Sequence, residues 1–210
     1  SGALVKALLV NSGRTVDLYD DGWWMDTAGV YPLHSQPDNI QGFGLVKLDN
    51  ALSTAGLSAT VHMYVDDATT ASSGDIKSYH FEVQATGTDL RVTLTWMDPV
   101  AWMATMKQVL HDLDLTIEDP SGNVWLANNR TWLGTPDELN NVEKILIPGS
   151  DVEAGVYTIN VTTHALLYDT QKYALAVSGN GWVFKTSSSS YNATDVYKCE
   201  DVHRMDEGHE

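Results

Sequence analysis

"LHDLDLTI", Leu110 to Ile117, decides the fold. Leu113, Leu115 and Ile117 alternate with Asp112, Asp114 and Thr116. Side chains of a strand alternate between its two faces, so this spacing predicts a strand with one apolar and one acidic face. A helix would spread the same residues around its circumference.

The same alternation recurs on both sides of this stretch. Tyr79, Phe81 and Val83 share a face, as do Leu90, Val92, Leu94 and Trp96. So do Tyr157, Ile159 and Val161, and Tyr173, Leu175 and Val177. Eight segments read as strands: "ATVHMYV", "KSYHFEVQA", "DLRVTLTWM", "HDLDLTIED", "GNVWLAN", "VEKILI", "GVYTINVTTHA" and "KYALAVSGN". Turn residues punctuate them at Ser73-Gly74, Thr86-Gly87, "DPSGN", Pro148-Gly149 and Ala154-Gly155. Short, evenly spaced strands with such turns predict a mainly β, antiparallel sandwich or jelly roll. The start differs. Ala3, Leu4, Ala7, Leu8 and Val10 fall at helical spacing with Gly13 as a stop, and Val46 to Leu52 reads as a short helical run. Three parts follow: 1–56, partly helical; 57–181, the β domain; and 182–210, a serine-rich then charged tail.

Composition narrows the function. Twenty-eight acidic against 12 basic residues give a formal charge of −16, which repels phosphate backbones and argues against nucleic-acid binding. No apolar run is long enough for a membrane-spanning helix, and the opening stretch does not read as a signal peptide. The single cysteine, Cys199, rules out an internal disulfide. N-x-[ST] sequons at Asn129, Asn160 and Asn192, with the acidic, Trp-rich composition, lean towards a secreted glycoprotein; the alternative is that the sequons occur by chance.

Catalytic signatures are missing from the sequence. There is no G-x-S-x-G segment, and Ser72-Ser73-Gly74 has no motif around it. The seven histidines (His34, His62, His80, His111, His164, His203 and His209) form no H-E-x-x-H pair, so a catalytic zinc has no ligand set. The acidic pair stands out. Asp112 and Asp114 repel one another on one strand face, and Asp98 ends the strand before. Converging, the three would suit Ca²⁺, which takes six to eight oxygen ligands; the alternative is a solvated acidic face. Asp119 to Asn123, "DPSGN", reads as a turn. Trp23-Trp24 and the Trp102, Met103, Met106 loop are apolar for loops and read as packing surface for another part of a larger protein.

An ordered set of motifs resembles one family. "SGALVKALLVNSG" and "QGFGLVKLDNAL" resemble the closing segments of a subtilisin-like serine protease domain. "TWMD" (95–98), "HDLDLTIEDPSGNVW" (from His111), "NNVEKILI" (from Asn140) and "GVYTINV" (from Gly155) resemble the C-terminal jelly roll of the high-molecular-mass alkaline subtilases. The resemblance covers roughly residues 1 to 180. It departs at His111, where the family has Asn, and in the longer loop "PVAWMATMKQV". The family's G-T-S-M-A nucleophile motif does not occur, nor do its Asp and His motifs. The resemblance therefore implies an eight-stranded jelly-roll sandwich preceded by the last helical segments of a subtilisin-like α/β domain. It implies part of a secreted serine endopeptidase with no catalytic residue in this chain. It adds possible Ca²⁺ and, as partner, the rest of the catalytic domain acting on protein or peptide substrates. The runner-up is a non-catalytic carbohydrate- or protein-binding module of an extracellular assembly.

Overall fold

The computed structural model describes residues 1–16, 18–20, 30–32, 37, 40–50, 61–101, 107–128, 130 and 133–184. One α-helix, α1 (Gly2–Ser12), precedes the strands. β1 (Leu18–Asp20) and β2 (Val30–Pro32) form a two-stranded sheet among the described residues. The remaining strands are β3 (His62–Asp66), β4 (Thr70–Ser72), β5 (Ile76–Val83), β6 (Leu90–Trp96), β7 (Asp112–Glu118), β8 (Val124–Leu126), β9 (Val142–Ile147), β10 (Gly155–Ala165), β11 (Thr170–Gly179) and β12 (Gly181–Phe184). One sheet runs β12-β5-β10-β7-β8; the other runs β3-β11-β6-β9, with β4 on the far end of β11. Every strand pairing is antiparallel.

All eight expected strands form. β1, β2, β4 and β12 are additions, each four residues or fewer and too short for alternation to register. The chain changes sheets at Asn180, between β11 and β12, and the expected tail begins inside β12. Of the helical run expected at Val46 to Leu52, the described part, 46–50, holds a 3-10 turn, Leu48–Asn50, and 51–52 lie outside the described residues.

The two sheets enclose one core. Tyr79, Phe81, Leu113, Leu115, Ile117, Tyr157 and Ile159 come from the first sheet. Leu90, Val92, Leu94, Trp96, Ile145, Tyr173, Leu175 and Val177 come from the second. A polar cluster sits at its edge. The Tyr79 hydroxyl bonds the Tyr173 hydroxyl at 2.6 Å and donates to Asp66 Oδ2 at 2.9 Å. The same carboxylate accepts the amides of Ala68 and Thr69, so a buried charge is hydrogen-bonded on both oxygens.

The centre of the second sheet, β6 and β11 from Tyr173 on, is buried on both faces, whereas Val65 on the edge strand β3 is exposed. Arg91, Thr93, Thr95, Lys144, Ala174, Ala176 and Ser178 point away from the core, yet all are buried. α1 covers them. Ser1 caps the helix, accepting the Leu4 amide at 3.2 Å, and Ala3, Ala7 and Asn11 form an i, i+4, i+8 stripe against the sheet. Ala3 and Ala7 meet Ala174 and Ala176, which lets backbones approach closely. The remaining ties are polar: Thr93 Oγ1 to Asn11 Oδ1 (3.0 Å), Asn11 Nδ2 to Ser178 Oγ (2.8 Å) and Thr95 Oγ1 to Ala3 O (2.7 Å). Gly13 then leaves the helix against Phe43; a Cβ there would lie 2.1 Å from the Phe43 carbonyl oxygen, so only glycine fits.

Ala7 sits at 0% exposure in this seam, with no room for extra methylenes. Ala7→Leu is expected to cost about 1–3 kcal/mol by overpacking. Urea unfolding measures it; an unchanged midpoint would show that the helix is not seated on the sheet.

Candidate functional site

The three aspartates arrive by different routes. Asp98 follows β6, and both of its oxygens hold the chain entering β7: Oδ2 accepts the Leu110 amide at 2.8 Å and Oδ1 the His111 amide at 2.9 Å. Asp112 Oδ2 accepts from Lys107 Nζ at 3.2 Å, and Lys107 also lies 3.6 Å from Glu138. Asp114 Oδ2 lies 2.5 Å from His164 Nε2. Asp114 Oδ1 is buried without a hydrogen-bond partner.

Alternation assigns Asp112, Asp114 and Thr116 to one outward face, but Asp114 is only 3% exposed. A fourth carboxylate explains part of its setting. Glu143, from β9 of the other sheet, accepts the Leu115 backbone amide through Oε2. β8 pairs with Thr116, Ile117 and Glu118 only, so it does not reach Leu115. Glu143 takes that amide instead, tying the two sheets. Its Oε1 is buried without a hydrogen-bond partner.

The electrostatics follow from this crowding. Burial raises the Asp114 carboxyl to about 6; the charge of His164 opposes the rise and that of Asp112 adds to it. Burial pushes Glu143 well above the usual carboxylate range, and the charge of Asp114 adds to the push. Asp137, at 2% exposure, shows the opposite outcome. Burial raises its carboxyl, but hydrogen bonds from Asn140 and Asn128, both 2.7 Å, and the Leu139 amide hold it low overall. Two neighbouring carboxylates therefore differ by how many donors reach them.

Among the described residues, no three His, Cys, Asp or Glu side chains are placed to hold one metal ion. Asp112 and Asp114 act on each other electrostatically, while Asp98 is engaged with backbone amides. Glu143 was not marked by the sequence as a member of this cluster. The signal was an acidic residue at a position where β9 alternation calls for an apolar one, in line with Ile145 and Ile147.

His111 is buried at 1% exposure. Its Nε2 accepts the Tyr168 amide at 3.2 Å, so Nδ1 carries the proton and donates to Gln171 Oε1 at 2.6 Å. It braces the entry to β7 against the turn before β11. Asp119 works as a turn cap, accepting the Ser121 and Asn123 amides at 3.1 and 2.8 Å. Of the sequons, Asn160 lies in β10, part-buried, with Oδ1 accepting from Ser78 Oγ at 2.7 Å. Asn129 and Asn192 lie outside the described residues, as do Trp23, Trp24, Trp102, Met103, Met106 and Cys199. His34, His203 and His209 do too.

No protein-family model matches the chain, and no curated protein is significantly similar to it.

Glutamine keeps Glu143's acceptor for the Leu115 amide while removing its charge. A carboxyl raised in the folded state contributes stability below its unfolded value, and that stability is lost as pH rises through the folded one. Glu143→Gln should therefore gain on the wild type as pH climbs above about 4.5. Urea unfolding at pH 4.5 and pH 8 tests it. Equal differences at both pH values would mean that Glu143 carries no burial penalty.

Proposed function

We propose that this chain is the C-terminal portion of a secreted subtilisin-like serine endopeptidase. Its part 57–181 is a jelly-roll domain bracing a catalytic domain to which 1–56 contributes the last segments. The catalytic triad is contributed by residues outside these 210, and substrates are proteins or peptides met through that domain. The order of the six family-like motifs supports the reading. The observation that carries it is the helix α1. It meets the β-sheet through alanines, partly buried Leu4 and Leu8 and polar side chains, while Val5 and Leu9, 58% and 45% exposed, point away. Leu45, Val46 and Leu48 are exposed as well. A helix with apolar residues on the side away from its only described sheet fits a body that packs on that second side.

Calcium belongs to the same proposal, with Asp112 and Asp114 as ligands and Asp98 setting the loop that delivers them. The orphaned Oδ1 of Asp114 suits a cation. Without the ion, Lys107 supplies positive charge to Asp112 and His164 lies against Asp114. Sequon glycosylation at Asn129, Asn160 and Asn192 is part of the secreted reading.

The 210-residue chain alone should hydrolyse no peptide substrate and take no label from a serine-directed covalent probe. Joined to the upstream residues of its parent, it should accompany both activities. Specific labelling of any serine within these residues would sink the proposal. Absence of a G-T-S-M-A stretch upstream would favour the binding-module reading instead.

A ligand that binds only the folded state adds about 2.7 kcal/mol at a hundredfold excess over Kd. Melting temperature should rise with calcium and fall with chelator, and Asp114→Asn should remove most of that difference. The same melting temperature in calcium and in chelator would leave an acidic edge neutralised by Lys107 and His164.

A further inference from the structure

We propose that Lys144 makes the docking of α1 on the β3-β11-β6-β9 sheet tighten in alkaline solution. Lys144 is 2% exposed. Its Nζ donates to Val10 O at 2.9 Å and Gly13 O at 3.1 Å, the carbonyls at the C-terminal end of α1. Val10 O also accepts the Gly13 amide at 3.1 Å, so Lys144 reinforces the C-terminal cap of α1 from the sheet side. On the neighbouring strand, Arg91 points to the same side of the sheet, 8% exposed. Asp89 pairs with its guanidinium at 2.5 Å, but its Nε is buried without a hydrogen bond. Two cations are thus buried in one helix–sheet seam.

The other charged groups at the seam are peripheral. Lys6 of α1 is half-buried and donates to Asn141 Oδ1 at 2.9 Å. Arg14, Lys47 and Asp49, on the chain that follows the helix, are exposed. Losing its proton leaves Lys144 an amine with two N–H groups, enough for both carbonyls. The loss removes the desolvation cost of a buried ammonium and its repulsion with Arg91. The helix dipole favours the charged form, but by less than burial disfavours it. Burial, with the charge of Arg91 acting in the same direction, lowers the Lys144 ammonium to about 7.

The sign follows. A folded value below the unfolded one means that the folded state holds fewer protons between about pH 7 and the ordinary lysine range. Stability therefore rises with pH across that window. The inference does not depend on the protease reading, because both sides of the seam are in this chain.

The test is a pH titration of the 210-residue chain carrying ¹³C-labelled lysine side chains, followed by NMR. Hydrogen exchange of the α1 amides, corrected for intrinsic rates, is measured alongside. One lysine resonance should titrate near neutral pH and vanish in Lys144→Met. Protection of α1 should rise on the order of tenfold or more from pH 7 to pH 9 in the wild type and stay flat in the variant. If every lysine titrates in the ordinary range, or α1 protection does not rise with the low-titrating one, the proposal fails. Both wild-type readings decide the matter even where Lys144→Met does not fold.

Discussion

The centre of the second sheet, β6 and β11 from Tyr173 on, has no solvent face, and much else in the structure answers to that constraint. A sheet in a sandwich usually keeps one face wet, so its strands alternate apolar and polar. β6 is buried at every position from Leu90 to Trp96. Its outward residues, Arg91, Thr93 and Thr95, are nonetheless polar. Buried polar groups need partners, and α1 supplies them: Asn11 for Thr93, and the Ala3 carbonyl for Thr95. The helix and the sheet face are thus complementary in hydrogen bonding rather than in greasiness. Such a seam is specific in register, because a shift by one residue would strand several donors at once.

The same logic explains why Val5 and Leu9 of α1 point elsewhere. In an isolated amphipathic helix, Val5 and Leu9 would be the anchoring residues. Here Ala3 and Ala7 anchor against Ala174 and Ala176, with Leu4 and Leu8 partly buried against the same cluster. Val5 and Leu9 are left on the opposite side.

The strand set and the inward faces were legible in the sequence, because alternation is a local signal and every predicted core triplet is buried. Burial of the second sheet's outer face was not legible. Alternation reports which residues share a face, not whether something covers the polar one. Thr93, Thr95 and Ser178 read as solvent-facing by the same rule that correctly placed Val92, Leu94 and Val177. The short strands β4 and β12 escaped for a different reason, being too brief to carry a period. The acidic pair was legible as a pair, but its partners lie far along the chain, on β9 and β10.

Those partners show how a like-charge pair is tolerated on one strand. Asp112 stays near solvent and takes Lys107. Asp114 is driven under cover, where repulsion by Asp112 cannot be screened by water, and it leans on His164. Glu143 adds a third carboxylate to the same low-dielectric region, held there because β8 stops short and the Leu115 amide needs an acceptor. A backbone donor left unpaired in the core would cost about 1–3 kcal/mol. Burial and the charge of Asp114 raise the affinity of Glu143 for its proton, against the opposing pull of the Leu115 amide. The orphaned oxygens of Asp114 and Glu143 are then two ends of one problem. Strand pairing sets where the acceptor must be, and burial sets the charge it can carry.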